Sequence, residues 1–472
     1  MVIGLDCPRS RASDGTAAVV FFWTVQILLV SGNREKLPDA VIPLGLLYVA
    51  ASLPEAHPSR ILDLCFEASP CEALQSGIEE FEPDVVALGM RNIQNADYSG
   101  VSNTIDYYAE LIAAIRKKTS VPIVMGGSGF SVMPSELMAR LRPDYGIGGE
   151  GELAFPALID ALESGSDLKE IPNLHYFEGE NQVVTKPAPD FLDMNTVKRP
   201  DRTRVSPLYY EKYGIESIQT KRGCPLVCDY CTYPVIEGRV GRTRSPAAVV
   251  DELVEITTAN PGVQHVFVVD SVFNLPRTHA KEVCREIIDR NLTIPWTCYV
   301  NPLGFDDELA RLMAEANCAG MEVGSDSGSD EVLKRLRKGF TTRQIRDLHQ
   351  RAVDCDLPDC HTFLLGTPDE SFDDVLRTID FVVDLDPFSA ILMAWVDDYE
   401  ALDPALADER RVLRDRVLDL LEQNKKEFSC WSIPSIGFNY DAHLFDVLRR
   451  SGYHGPLWQH LRGLAGRRSK SV

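Results

Sequence analysis

Thr220-Lys-Arg-Gly-Cys-Pro-Leu-Val-Cys-Asp-Tyr-Cys-Thr-Tyr-Pro234 carries three cysteines, Cys224, Cys228 and Cys231, spaced C-x3-C-x2-C directly after an extended run, Glu216 to Gln219. Three thiolates on a short loop at a strand end can ligate three irons of a 4Fe-4S cubane and leave the fourth iron open. A zinc site wants a fourth ligand and usually paired C-x2-C knuckles, and this segment has neither a second pair nor a nearby His. A fully capped structural cluster would need a fourth cysteine, for which Cys298 and Cys318 are the candidates from the same region. The other cysteines read as packing residues.

Downstream, short apolar runs end in polar or glycine residues: Val266-Phe-Val-Val-Asp-Ser-Val-Phe-Asn274, then Met321-Glu-Val-Gly-Ser-Asp-Ser-Gly-Ser-Asp-Glu-Val-Leu-Lys334 with Lys338-Gly339, then Phe363-Leu-Leu-Gly-Thr-Pro-Asp-Glu-Ser371. Helical patterns at Pro246 to Thr257, Ala280 to Asp289 and Thr342 to Cys355 separate them, which predicts βα units whose strand ends face a ligand. The cysteine spacing, with an aromatic before the third cysteine, resembles the signature of the radical S-adenosylmethionine (SAM) superfamily. These segments resemble its later strands in order, from about Gly214 to Ser389. The resemblance implies a partial (β/α)6 barrel over residues 213 to 396. It also implies that the open iron chelates the amino and carboxylate groups of SAM, with Tyr230, Asp270, Ser271, Glu322 and Ser325 bordering that molecule.

Upstream, strand candidates Gln26 to Val30, Ser59 to Cys65, Asp84 to Met90, Ile123 to Met125 and Tyr145 to Ile147 alternate with helical patterns at Leu44 to Leu53, Glu72 to Phe81, Thr104 to Lys117 and Pro134 to Leu141. Strict alternation predicts a parallel, doubly wound α/β domain over residues 25 to 165, with its ligand beyond the carboxyl ends of the strands. The segments there include the glycine-rich runs Gly126-Gly-Ser-Gly-Phe130 and Gly148-Gly-Glu-Gly-Glu152, either plain turns or places where backbone approaches a bulky ligand. No GxGxxG opens the first helix, which disfavours a nicotinamide cofactor. A Rossmann-like domain ahead of the barrel resembles the cobalamin-binding branch of the superfamily. That resemblance points to Pro43, Leu44, Gly45, Arg91, Asn92, Gly126, Gly127, Ser128, Gly149 and Glu150 as cobalamin contacts. The Asp-x-His-x-x-Gly motif that ligates cobalt is absent, so Arg91 or a neighbour is expected under the corrin.

Residues 1 to 24 read as a disordered leader, 166 to 212 as a proline-rich linker, and 397 to 472 as a small, mainly helical domain that lids the site and selects substrate. The apolar stretch Ala17 to Val30 is too short to span a bilayer. A net charge of −22 argues against general binding to nucleic acid or an anionic membrane. Twelve scattered cysteines with one tight cluster suit a reducing, cytoplasmic setting rather than a disulfide framework.

The resemblance implies a monomeric, cobalamin-dependent radical SAM methyltransferase, reduced by a donor such as flavodoxin or ferredoxin. It would move methyl via methylcobalamin to an unactivated carbon, or a phosphorus, of a small natural-product precursor. The alternatives are a cobalamin-dependent cyclase, ring-contracting or oxidative enzyme, and a non-catalytic corrinoid or iron-sulfur sensor. The final strand, Ala390 to Val396, departs from the family pattern in lacking the proline, glycine and threonine that usually follow it, which leaves the substrate and any catalytic acid or base unassigned.

Overall fold

A computed structural model describes residues 24–36, 39–93, 104–188, 191–425, 430–436 and 442–461. The expected leader lies almost wholly outside the described residues. Two compact units divide the chain, one built mainly from residues up to Ser206 and the other mainly from Pro207 onward.

In the first unit, β1 (Ile27–Ser31), β2 (Ser59–Asp63), β3 (Val85–Gly89), β4 (Ile123–Gly126) and β5 (Tyr145–Ile147) form a parallel sheet in the order β2-β1-β3-β4-β5. The run Ile-Leu-Leu-Val of β1 is fully buried because both faces of the sheet are covered. Leu28 and Val30 pack on one side against Leu74 and Leu111 from the helices Pro70–Phe81 and Thr104–Arg116. Ile27 and Leu29 face Leu158 and Ile159 of the helix Gly151–Ser164 on the other.

The expected linker needs correction. Residues within it form β6 (Leu174–Glu178) and β7 (Asn181–Val184), an antiparallel hairpin that continues the sheet from β5. Leu174 and Tyr176 join the core, while the flanking prolines, which suggested a linker, lie outside the ladder where a missing N–H costs nothing.

The second unit begins with β8 (Ile215–Ile218), followed by a short ribbon of β9 (Lys221–Arg222) and β10 (Arg242–Thr243). The strands β11 (His265–Val268), β12 (Trp296–Val300), β13 (Cys318–Asp326), β14 (Asp359–Leu365), β15 (Ser389–Ala394) and β16 (Trp431–Ser432) continue the parallel sheet in the order β8-β11-β12-β13-β14-β15-β16. Five of these match runs read from the sequence; β12 supplies the sixth strand that the resemblance implied, and β16 adds a short seventh.

The boundary expected at residue 397 is not a seam. Val417 and Leu421 of the helix Pro404–Asn424 share one core with Leu392, Ala394 and Trp431. The last described segment does not lid the strand ends that carry the cysteine loop. His454 lies against Tyr213 just before β8, and Gln459 donates to the Ala319 carbonyl at the start of β13, so this segment covers the opposite, amino-terminal end of the barrel. Trp458 inserts there beside Gly320, where a Cβ would stand 2.6 Å from its ring. Among the described residues no helix is long and apolar enough to cross a membrane.

Candidate active site

The cysteine loop leaves the carboxyl end of β8 and is fixed at its root by buried polar groups. Asp270, just past β11, accepts hydrogen bonds from the Thr220 N–H (2.8 Å), the Thr220 hydroxyl (2.5 Å) and the Lys221 N–H (3.2 Å). Burial pushes its carboxyl up, and Lys221 and these donors oppose the rise. The Lys221 side chain is wholly buried and donates to the Gly223 carbonyl (3.0 Å) and to Ser271 Oγ (3.3 Å). Gly223 has φ +86°, and a Cβ there would lie 2.0 Å from the Val240 carbonyl oxygen, so only glycine fits. Its N–H donates to Glu237 Oε2 (3.1 Å), and the Cys224 N–H donates to the Gly238 carbonyl (3.1 Å). Asp270 and Ser271, expected at the SAM molecule, thus lie at the root of the loop and hydrogen-bond to it.

Cys224 is buried, and Cys228 and Cys231 are half-buried. Burial pushes the Cys228 thiol up and Lys338 opposes it; for Cys231 burial acts the same way against the Tyr233 N–H. Among the described residues, the sets of three possible ligand atoms within 4.8 Å of one another are His349, Asp359 and His361, and His57, Asp160 and Glu163, not the three cysteines. Sulfurs around a single zinc would stand about 3.8 Å apart, given a Zn–S bond of about 2.3 Å. The wider spread of this trio fits a cluster of several irons. Cys298 on β12 is fully buried, beside Cys318 at the amino-terminal start of β13 and Cys284 on a covering helix.

Beside the loop, Asp326 ends β13 with φ +63°. Its carboxylate pairs with Lys338 Nζ (2.7 Å) and accepts from the Tyr230 hydroxyl (2.5 Å), and Lys338 also reaches Tyr230 Oη (3.2 Å). Burial, reinforced by Asp326, pushes the Tyr230 phenol up. The Tyr230 ring meets Trp395, just beyond β15, edge to face at 5.9 Å. Below Trp395, Arg410 donates to the Thr367 carbonyl (2.9 Å) and Asp397 (2.8 Å). Sequence reasoning missed Asp326, Lys338 and Trp395 as a group because they lie about a hundred residues or more from Tyr230 along the chain. The run Met321 to Lys334, which holds Asp326, and Lys338-Gly339 had a sequence signal as segments, not as a site.

Glu322 and Ser325 are placed elsewhere. Glu322 accepts from Trp458 Nε1 (3.0 Å) and bonds Tyr299. It sits four residues, about 13 Å, before Asp326 on the strand. The Ser325 hydroxyl pairs with His361 Nδ1 (2.7 Å).

In the first unit the strand order reverses between β1 and β3, where a parallel sheet opens a crevice at its carboxyl end. The loop after β3 lies hard against the turn after β4. Ser128 Oγ donates to the Arg91 carbonyl (2.7 Å), and a Cβ on Gly127 (φ +102°) would stand 2.5 Å from the Met90 carbonyl oxygen. Gly126 closes β4, the Gly149 N–H donates to Ser131 Oγ (2.8 Å), and Glu150 is taken by the Leu192 N–H (3.1 Å). Pro43 caps the helix Leu44–Ser52, Leu44 is buried, and Gly45 has open space where a Cβ would be. Arg91 is exposed and Asn92 half-buried. A bare backbone shelf beside an exposed, non-coordinating Arg91 suits a broad planar ligand.

Comparison with known proteins agrees with both units. A model of the radical SAM superfamily matches residues 218–382, and one of the B12 binding domain matches residues 31–159. The chain is 30% identical over 373 residues to an uncharacterized methyltransferase of Pyrococcus horikoshii, covering 77% of this chain and 78% of that one. It is 29% identical over 428 residues to the tryptophan 2-C-methyltransferase of Streptomyces laurentii, covering 76% and 70%. Among solved structures it is similar to the radical SAM methyltransferase TsrM from Kitasatospora setae, bound to cobalamin and a 4Fe-4S cluster, with 27% identity, a TM-score of 0.72 and coverage of 79% and 75%.

Proposed function

The chain belongs to the cobalamin-dependent radical SAM methyltransferases, and on that premise we propose a residue-level assignment of its site and the kind of molecule it methylates. Cys224, Cys228 and Cys231 hold the 4Fe-4S cluster, which when bound supplies an electron and an open iron for SAM. The backbone at Gly45, Arg91–Asn92 and Gly126–Ser128 holds the cobalamin, which carries the methyl group.

Tyr230, Asp326 and Lys338 form the polar end of the SAM pocket in place of Glu322 and Ser325. Lys338 offers a cation to a carboxylate, and Asp326 offers an acceptor to an ammonium or a ribose hydroxyl. The observation that carries this assignment is that the Asp326–Lys338 pair closes on Tyr230, the residue beside the third cysteine. Asp270, Lys221 and Glu237 keep the loop in its ligating shape.

The acceptor is a small planar molecule methylated at carbon. Support comes from the Tyr230–Trp395 edge-to-face pair at these strand ends and from the likeness to the tryptophan 2-C-methyltransferase. A single chain reduced by a flavodoxin or ferredoxin in a reducing compartment completes the reading.

The test is anaerobic turnover of the reconstituted protein with methyl-labelled SAM and a panel of indoles and other aromatic precursors. Label in the product is expected. An unlabelled, rearranged product would instead mark a cyclase or ring-contracting enzyme.

A further inference from the structure

A chain of buried polar side chains runs along the helix-facing side of β14. His349, midway along the helix Thr342–Asp354, and His361 both bond Asp359 Oδ2, at 2.7 and 2.9 Å. The other oxygen of Asp359 accepts from the Phe388 N–H (3.0 Å), and His361 Nδ1 pairs with Ser325 Oγ (2.7 Å). The side chains of His361 and Asp359 are 0% and 3% exposed, and that of His349 is 16% exposed. Burial alone would raise the Asp359 carboxyl, yet the two imidazoles hold it well below the usual carboxylate range. Three of these groups lie close enough to gather around a metal, and here the same atoms hydrogen-bond one another.

The chain ends at an irregularity in the sheet. Gly324 pairs with Thr362 and Asp326 with Phe363, so Ser325 is an extra residue with no partner across the ladder. Such a bulge re-aims the side chain that follows it. Here that residue is Asp326, which takes a left-handed backbone, a conformation aspartate accepts more readily than most side chains. We infer that His349, Asp359, His361 and Ser325 act as positioning residues: through the Ser325 hydroxyl they pin the bulge that turns the Asp326 carboxylate onto Lys338 and Tyr230. With Asp359 accepting from His361 Nε2, the ring presents Nδ1 to the serine hydroxyl, which gives Ser325 one defined orientation. The inference rests on the assignment of Asp326 and Lys338 to the SAM pocket, and its test separates the two.

The full chain is reconstituted anaerobically, and SAM dissociation is measured alongside iron content for His361→Phe, Ser325→Ala, Asp326→Asn and the Ser325→Ala/Asp326→Asn pair. His361→Phe keeps the ring and loses the bonds, and Ser325→Ala is the milder change should the first not fold. Each is expected to retain its iron and bind SAM about tenfold more weakly, as for a residue coupled to a site through a neighbour. The double variant is expected to be no worse than Asp326→Asn alone, because the serine acts through that carboxylate.

Parent-like SAM binding in folded His361→Phe and Ser325→Ala, or losses that simply multiply in the double variant, overturns the inference. Unchanged binding in Asp326→Asn overturns the pocket assignment instead. A crystal structure decides the bulge independently: Asp326 is expected to leave Lys338 in His361→Phe, and an intact bulge refutes the role of the chain whatever the affinity.

Discussion

Gly223→Ala tests whether the cysteine loop is held in its ligating shape by backbone geometry. The native residue has φ +86°, and the new Cβ would stand 2.0 Å from the Val240 carbonyl oxygen and 2.8 Å from its carbon. The left-handed backbone costs a non-glycine residue about 1–2 kcal/mol. Relieving the overlap means moving the loop off its neighbours, which breaks the Gly223-to-Glu237 and Cys224-to-Gly238 bonds and loosens the Lys221 contact. At about 1 kcal/mol for each lost bond the total is roughly 3–5 kcal/mol. That lowers the population of the ligating loop by a factor of roughly 100 to 4,000, at 1.4 kcal/mol per decade.

The assay is iron and acid-labile sulfide per chain after anaerobic reconstitution and a chelator challenge, with circular dichroism to follow the fold. Gly179→Ala is the control. Gly179 also has positive φ, +64°, but has open space around its Cβ on the β6–β7 turn, so it carries the backbone cost without the collision. Gly223→Ala is expected to lose most of its iron while Gly179→Ala keeps it. Equal, full iron retention in both variants would refute the reasoning.

Cys298→Ala and Cys318→Ala are expected to leave iron content unchanged, because Cys298 is wholly buried beside Cys318 and Cys318 stands at the amino-terminal start of β13; loss of iron in either would mean a fourth thiolate. Trp458→Ala removes a buried indole and leaves Glu322 without that donor. It is expected to destabilise the protein by about 3–5 kcal/mol in chemical denaturation while the reconstituted cluster persists. Asp374 opens the helix Phe372–Leu385 in a capping box with Ser371. Burial opposes its ionisation, but Ser371 and Arg377 hold its carboxyl well below the usual carboxylate range. A depressed folded pKa means stability present at neutral pH and lost as pH falls below about 4 toward the folded value. Asp374→Ala is therefore expected to cost about 1–2 kcal/mol at pH 7, with the difference from the parent shrinking in denaturation curves taken in acid.

Local pattern made much of the molecule legible. Tight cysteine spacing marked the proposed cluster loop because all three candidate ligands sit within one short segment. The alternation of apolar runs and helical periods marked the parallel strands because the central ones are buried on both faces and keep the same local form wherever they land. The β6–β7 hairpin was hidden by its flanking prolines, and the C-terminal stretch looked separable because its helices are charged on the outside. Their few buried side chains, Leu174, Tyr176, Val417 and Leu421, find their partners only in the folded core.

The site divides the same way. Cys224, Cys228 and Cys231, and the glycines that let backbone approach a ligand, follow from residue type and spacing. Which carboxylate faces the cluster does not. Glu322, Ser325 and Asp326 lie on one strand within five residues, and a single bulge at Ser325 sends them to three different surroundings. Side chains along a strand alternate faces, and one inserted residue shifts that alternation, so the direction of Asp326 depends on its pairing with β14. By itself the chain determines which chemistry is carried and on what kind of fold. Only the tertiary structure decides which side chains meet, because Tyr230, Asp326, Lys338 and Trp395 share a place at the strand ends and nothing in their separation along the chain.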